Sequence, residues 1–149
     1  MLHESYLKQI DARPYLWGAF VWNMFDFASD GRDEGGQQGI NDKGLITHDR
    51  TVKKDAFFWY KANWADQPVT HITSRRWTER TEPSTTVRVY SNAESVTLTL
   101  NGERIGTKTG DDRVFTWPVQ LAGGRNTVTA ESVINGETHT DTVVWHLAA

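Results

Sequence analysis

The sequence predicts a mixed fold: a helix–strand–helix segment of a (β/α) barrel over residues 1–66, then an all-β sandwich over residues 67–149. Three observations lead there. An unbroken apolar run, Tyr15 to Trp22, opens into a polar loop rich in glycine and aspartate, as a buried parallel strand does at the active-site end of a barrel. Beyond Pro68 the periodicity changes to strict alternation by twos. Two Asn-Gly pairs, Asn101-Gly102 and Asn135-Gly136, sit between alternating runs, where a tight hairpin wants positive φ at both positions.

Met1 to Asp11 reads as a helix, with Leu2, Tyr6 and Ile10 recurring every four residues and Asp11 and Pro14 ending it. Tyr15 to Trp22 reads as a strand buried on both faces, with Trp17 deep in the core and Trp22 at its C-terminal end. Asn23 to Arg50 is a long loop punctuated by Gly31, Gly35, Gly36, Gly39 and Gly44; loops of this length in compact domains usually carry function. Lys53 to Trp64 reads as a second helix, although two lysines ahead of Asp55 oppose the helix dipole at an N-terminus. Ala65-Asp-Gln-Pro68 is a break. After it, Val87 and Val89, then Val96, Leu98 and Leu100, then Ile105 as a return strand, then Phe115, Trp117 and Val119, mark alternating strands. Gly123-Gly124 turns the chain into Val128 and Ala130, and Val143 and Trp145 close the set. About seven strands at such spacing suggest a sandwich, and without a cysteine pair it is not of the antibody type.

Composition excludes several classes. Sixteen Lys and Arg against nineteen Asp and Glu leave a net charge of −3, too little positive charge for binding nucleic acid through phosphates. No run approaches the ~20 apolar residues of a membrane helix. The absence of cysteine removes disulfides and thiolate metal sites and leaves the compartment open between cytoplasm and periplasm; no signal peptide is visible. His3, His48, His71, His139 and His146 show no metal-ligand spacing. No phosphate-cradling glycine motif is present, so no cofactor is expected.

The first half also carries a resemblance. Trp17-Gly-x-Phe-x-Trp22-Asn-x-Phe-Asp-Phe-x-Ser-Asp-Gly-Arg32, then Glu34-Gly, then Gly39-Ile-Asn-Asp-Lys-Gly-Leu45, then Asp49-Arg50 and Lys53-Lys-Asp-Ala-Phe57 resemble glycoside hydrolase family two, above all its β-galactosidases. The likeness is close over residues 1–65, and weaker motifs after Val69 resemble the immunoglobulin-like domain that follows the barrel in that family. It implies that residues 1–11 are the seventh helix and Tyr15–Trp22 the last strand of a (β/α)8 barrel, with several hundred residues upstream of Met1. The activity implied for the parent protein is retaining hydrolysis of a terminal β-linked sugar, foremost a β-galactoside. Its catalytic glutamates would lie upstream, so no catalytic residue is assigned in this chain. A β-glucuronidase, and a non-catalytic carbohydrate-binding or interaction module, are the alternatives.

Three residues are candidates for substrate binding. Trp22 ends the expected last strand, where an indole can lie beneath the apolar C–H face of a pyranose; the resemblance implies this role, and a cis peptide between Trp22 and Asn23 with it. Asn41 and Lys43 resemble the Asn-x-Lys pair with which β-glucuronidases hold a sugar carboxylate, for which an amide and an ammonium are suitable donors; the same pair occurs in β-galactosidases, and a plain turn is the other reading. Four loop acids, Asp26, Asp30, Asp33 and Glu34, are read as solvated turn formers, with Asp26 and Asp30 orienting the loop or Arg32. Trp77, Tyr90, Trp117 and Trp145 could form a sugar-binding strip, but the alternation places Trp117 and Trp145 in the core. Arg75 or Arg76 could stack on Trp77. Expected partners are a carbohydrate in the parent protein, and the rest of the barrel or a second copy through residues 1–65; nucleic acid and membrane are not expected.

Overall fold

The order of elements is helix, loop with short bridges, helix, then eight strands. A computed structural model describes residues 2–33, 36–110 and 112–148. The contacts divide the chain into two compact units, Met1–Trp59 and Tyr60–Ala149.

In the first unit, α1 (Leu2–Asp11) forms where expected, but the face it buries is different. Leu7 is 5% exposed and Glu4 is buried, whereas Leu2 and Tyr6 are exposed. The apolar run 15–22 is not a strand. A strand exists only by pairing its backbone groups, and no described segment pairs with this one. Trp17, expected in a core, is 90% exposed, and Phe20 is 91% exposed. Order resumes at Phe25, which bridges Ile46 in parallel. Two short strands, β1 (Phe27–Ala28) and β2 (Ile40–Asn41), then pair antiparallel. The second helix, α2 (Asp55–Trp64), starts two residues later than the periodicity suggests. Asp55 thus occupies its first turn and Lys61 its last, the charge order the helix dipole favours, while Lys53 and Lys54 stay outside.

The second unit is a two-sheet sandwich. Its strands are β3 (Thr70–Ile72), β4 (Glu79–Arg80), β5 (Ser84–Ser91), β6 (Ser95–Leu100), β7 (Glu103–Thr109), β8 (Val114–Gln120), β9 (Gly124–Ile134) and β10 (Glu137–Leu147). One sheet runs β4-β10-β9-β6-β7 and the other β3-β5-β8. All pairs are antiparallel except β4 with β10. Both Asn-Gly hairpins form as expected, with φ of 52° and 85° at Asn101 and Gly102 and 55° and 82° at Asn135 and Gly136. The β6–β7 ladder slips between Leu98 and Thr99, so that Ile105 is an extra residue beside Gly106, a bulge at the edge strand.

Alternation puts Val87, Val89, Val96, Leu98, Val128 and Ala130 wholly inside one core with Trp117 and Trp145. The sugar-strip alternative for the tryptophans fails here, since Tyr90, Trp117 and Trp145 are all buried and only Trp77 is exposed. Asp141 on β10 ties the sheets together: its carboxylate accepts the Ile72 N–H at 2.7 Å and an Arg75 Nη2 N–H at 2.6 Å. Arg75 is therefore not the stacking partner of Trp77. That partner is Arg80, whose guanidinium lies 4.5 Å from the Trp77 ring centre and 3.9 Å from that of Trp145. Asn126, wholly buried, uses both ends of its amide: Oδ1 accepts from Ala122 and Asn101, and Nδ2 donates to Ala122 and Gly124 carbonyls.

Candidate functional site

Two loop segments, 23–28 and 40–46, meet in the first unit, and a buried carboxylate holds them. Asp26 is 5% exposed. Its Oδ1 accepts the Gly44 N–H at 2.8 Å and the Lys54 ammonium at 2.7 Å. Lys54 donates a second bond to the Asp42 carbonyl at 2.6 Å. Backbone bonds from Leu45 to Asn23, from Ile46 to Met24 and from Asp26 to Ile46 complete the seam. Gly44 is required for this approach, because a Cβ there would stand 2.2 Å from both the Asp26 nitrogen and the Phe25 carbonyl carbon.

Asp26 thus orients the loop, as expected, but from a buried position and not as a solvated turn former. A carboxylate this deeply buried needs a cation and N–H donors, and Lys54 and Gly44 supply them. Asp30 and Asp33 are exposed; Glu34 lies outside the described residues.

A second clamp follows. Arg50, at φ 68°, lays its guanidinium 3.9 Å from the Phe25 ring centre. Its Nη1 donates to the carbonyls of Asp26 and His48. The turn that sets Arg50 is organised by Asp49, which accepts bonds from the Thr47 and Thr51 hydroxyls and the Thr51 N–H. These bonds, the Thr47 hydroxyl foremost, hold the Asp49 carboxyl down to about 2.

On this scaffold lie the three candidate residues. The Trp22–Asn23 peptide is cis, as the family likeness implies. The Trp22 indole is 71% exposed and meets the Phe27 ring edge-on, 6.0 Å between centres at 85°. Phe27 is in turn the register partner of Asn41. Asn41 is buried, and its Oδ1 accepts the Lys43 N–H at 3.1 Å, an Asx turn that directs the chain through Lys43, which lies at the surface. Residues 22 and 41 are therefore linked through Phe27, and residues 41 and 43 through one turn. Among the described residues no group of three His, Cys, Asp or Glu could hold a metal ion, and no helix is long and apolar enough to cross a membrane.

Sequence reasoning read Asp26 as orienting the loop but missed Lys54 and Arg50 as parts of the same framework. The available signal was Gly44 directly after Lys43 and a lysine pair ahead of a helix that begins only at Asp55.

Residues 82–139 match a family model described as a domain of unknown function (DUF4982). A β-glucuronidase of Bacteroides fragilis is 43% identical over 129 residues, covering 85% of this chain and 19% of that protein. The crystal structure of an FMN-binding β-glucuronidase from Facaelibacterium prausnitzii L2-6 matches with a TM-score of 0.87 and 42% identity, over 98% of this chain and 22% of that one. The chain belongs to glycoside hydrolase family two. It spans about a fifth of the length of these two relatives. A family-two β-galactosidase, BoGH2A of Bacteroides ovatus, is 28% identical over 110 residues, 73% of this chain and 13% of that protein. The family-two relatives thus carry both names, with the β-glucuronidase the more similar.

Proposed function

We propose that residues 1–66 are the closing helix–strand–helix of a (β/α)8 barrel, that residues 67–149 are an immunoglobulin-like sandwich, and that the whole protein is a retaining β-glycosidase acting on β-glucuronides. The observation that carries this reading is the linkage of Trp22, Asn41 and Lys43 through the Trp22–Phe27 contact, the Phe27–Asn41 pair and the Asn41–Lys43 turn. An exposed indole offers an apolar face to the C–H face of a pyranose. The turn after Asn41 presents a lysine, a suitable donor for the sugar's carboxylate. The greater likeness to a protein named β-glucuronidase supports a uronide over the galactoside that the motif around Phe25 suggests.

In this reading the chain binds and orients the sugar and does not break the bond. Retaining hydrolysis needs two carboxyls ~5–5.5 Å apart, one as acid/base and one as nucleophile. Asp26 is engaged by Lys54 and Gly44, while Asp30 and Asp33 stand in solvent. The exposed stretch Tyr15, Trp17 and Phe20 is where the neighbouring strands and helices of the barrel would pack, since apolar patches of this kind mark interaction surfaces. The 149-residue chain alone is therefore expected to self-associate and to hydrolyse neither substrate.

The test uses the whole protein with chromogenic β-glucuronide and β-galactoside. Lys43→Ala is expected to lower kcat/KM on the glucuronide by about 10–100-fold, the worth of a charged hydrogen bond, with little change on the galactoside. Trp22→Ala is expected to impair both. A wild-type preference for the galactoside that Lys43→Ala leaves intact would replace the uronide reading with the β-galactosidase one.

A further inference from the structure

We propose that Lys54 is a positioning residue for uronide binding: it fixes the stretch of backbone from which Lys43 projects, and so sets the hold on the sugar's carboxylate without touching the sugar. This role rests on the β-glucuronide reading.

A side chain leaves the main chain in a direction set by the peptide planes on either side of it. Around Lys43 both planes are held. In the 42–43 plane the Asp42 carbonyl accepts the Lys54 ammonium at 2.6 Å, and the Lys43 N–H donates to Asn41 Oδ1 at 3.1 Å. In the 43–44 plane the Gly44 N–H donates to Asp26 Oδ1 at 2.8 Å. The same ammonium donates to that Asp26 oxygen at 2.7 Å. One cation thus reaches both planes, the first directly and the second through the carboxylate it neutralises.

Lys54 is itself tied to the turn it braces. Its own N–H donates to the Leu45 carbonyl at 2.8 Å. Its side chain is only 16% exposed, where bonds between charged groups are stronger than in water. Lys53 does not share the role: it is exposed, and its ammonium lies over the Phe57 ring at 5.1 Å.

The effect is selective. The segment after Trp22 is held by backbone bonds from Leu45 to Asn23, from Ile46 to Met24 and from Asp26 to Ile46, and none of them uses the Lys54 ammonium. Loss of that ammonium leaves the 42–43 plane with the Asn41 bond alone. A displacement of about 1 Å at a group that binds substrate costs up to about 100-fold. Here it would fall on the bond to a carboxylate, which a galactoside lacks.

The test is a double-mutant cycle in the whole protein, read in KM on a chromogenic β-glucuronide, a quantity independent of how much of the enzyme is folded. Lys54→Met is expected to raise KM by about tenfold or more with a smaller change in kcat, the mark of lost substrate binding. On a chromogenic β-galactoside KM should rise less. Lys43→Ala should raise KM on the glucuronide at least as far, and the double variant no further than Lys43→Ala alone, because Lys54 acts through Lys43. Lys54→Gln, shorter by one bond and uncharged, replaces Lys54→Met if that variant does not fold, with the same expectation. A Lys54 variant that loses kcat and keeps KM, beside a raised KM in Lys43→Ala, would overturn the positioning role and leave the β-glucuronide reading standing. Losses that add in the double variant would do the same. An unchanged KM in Lys43→Ala would overturn both.

Discussion

The Lys54 ammonium lies 2.7 Å from Oδ1 of Asp26, joining two side chains 28 positions apart at exposures of 16% and 7%. This pair, with the Gly44 N–H on the same oxygen, holds the two loop segments that place Trp22 and Asn41. Removing one partner of a buried pair leaves an uncompensated charge. Asp26→Ala and Lys54→Met are therefore each expected to destabilise the first unit by about 3 kcal/mol. Amide exchange at Gly44, Leu45 and Ile46 is the measurement; unchanged protection in Asp26→Ala would refute the role.

Gly44→Ala probes the same seam through sterics alone. Its added methyl would meet backbone at 2.2 Å, which no rotamer relieves. Segments 23–26 and 44–46 must separate, so loss of the Phe25–Ile46 bridge is expected, at a cost of about 2 kcal/mol or more. In the whole protein, sugar affinity should fall as in Trp22→Ala. Retained exchange protection at Ile46 would contradict this.

Arg80 offers a test in the sandwich. The side chain is 5% exposed, held between two indoles, and its Nε has no hydrogen-bond partner among the described residues. Burial pushes the guanidinium's pKa down, so its charge is held at a cost while its planar stem fills the space. Arg80→Met, which keeps most of the volume, is expected to lie within about 1 kcal/mol of the wild type. Arg80→Ala, which opens a cavity beside Trp145, should lose about 2–4 kcal/mol. Chemical denaturation followed by tryptophan fluorescence separates the two; equal losses would mean that the charge, not the volume, matters.

The turn at 47–51 predicts a pH effect of definite sign. The Asp49 carboxyl is lowered from 3.8 to about 2 by the Thr47 and Thr51 bonds. A depressed folded-state pKa contributes stability that is fully present above 3.8 and is lost as pH falls toward about 2. The group is fully exposed, so the effect is local. The Asp49 carboxyl resonance should titrate near pH 2 in the wild type and closer to its ordinary value in a Thr47→Val, Thr51→Val double variant. Titration at the ordinary value in the wild type would disprove the turn's hydrogen bonds.

Several features of this protein are decided locally, and the sequence by itself determined them. Asn101-Gly102 and Asn135-Gly136 demand positive φ within a few residues, so both hairpins were legible. Alternation by twos needs only a strand with one buried face, and it named Val87, Leu98, Trp117 and Trp145 as core. The linkage of Trp22, Asn41 and Lys43 was legible only as a family likeness, because nothing local links residue 22 to residue 41. Other features depend on which distant groups meet, and only the tertiary structure decided them. The run 15–22 has the composition of a buried strand, but pairing and burial come from neighbours, and none of the described segments provides them. Arg75, Arg76 and Arg80 are equivalent in sequence; the parallel pairing of β4 with β10 puts Arg80 between the indoles and leaves Arg75 to Asp141. Asp26 looked like one acid among four in a loop, and became the keystone only because Gly44 allows two backbones to touch and Lys54, stopped just short of a helix, reaches the carboxylate.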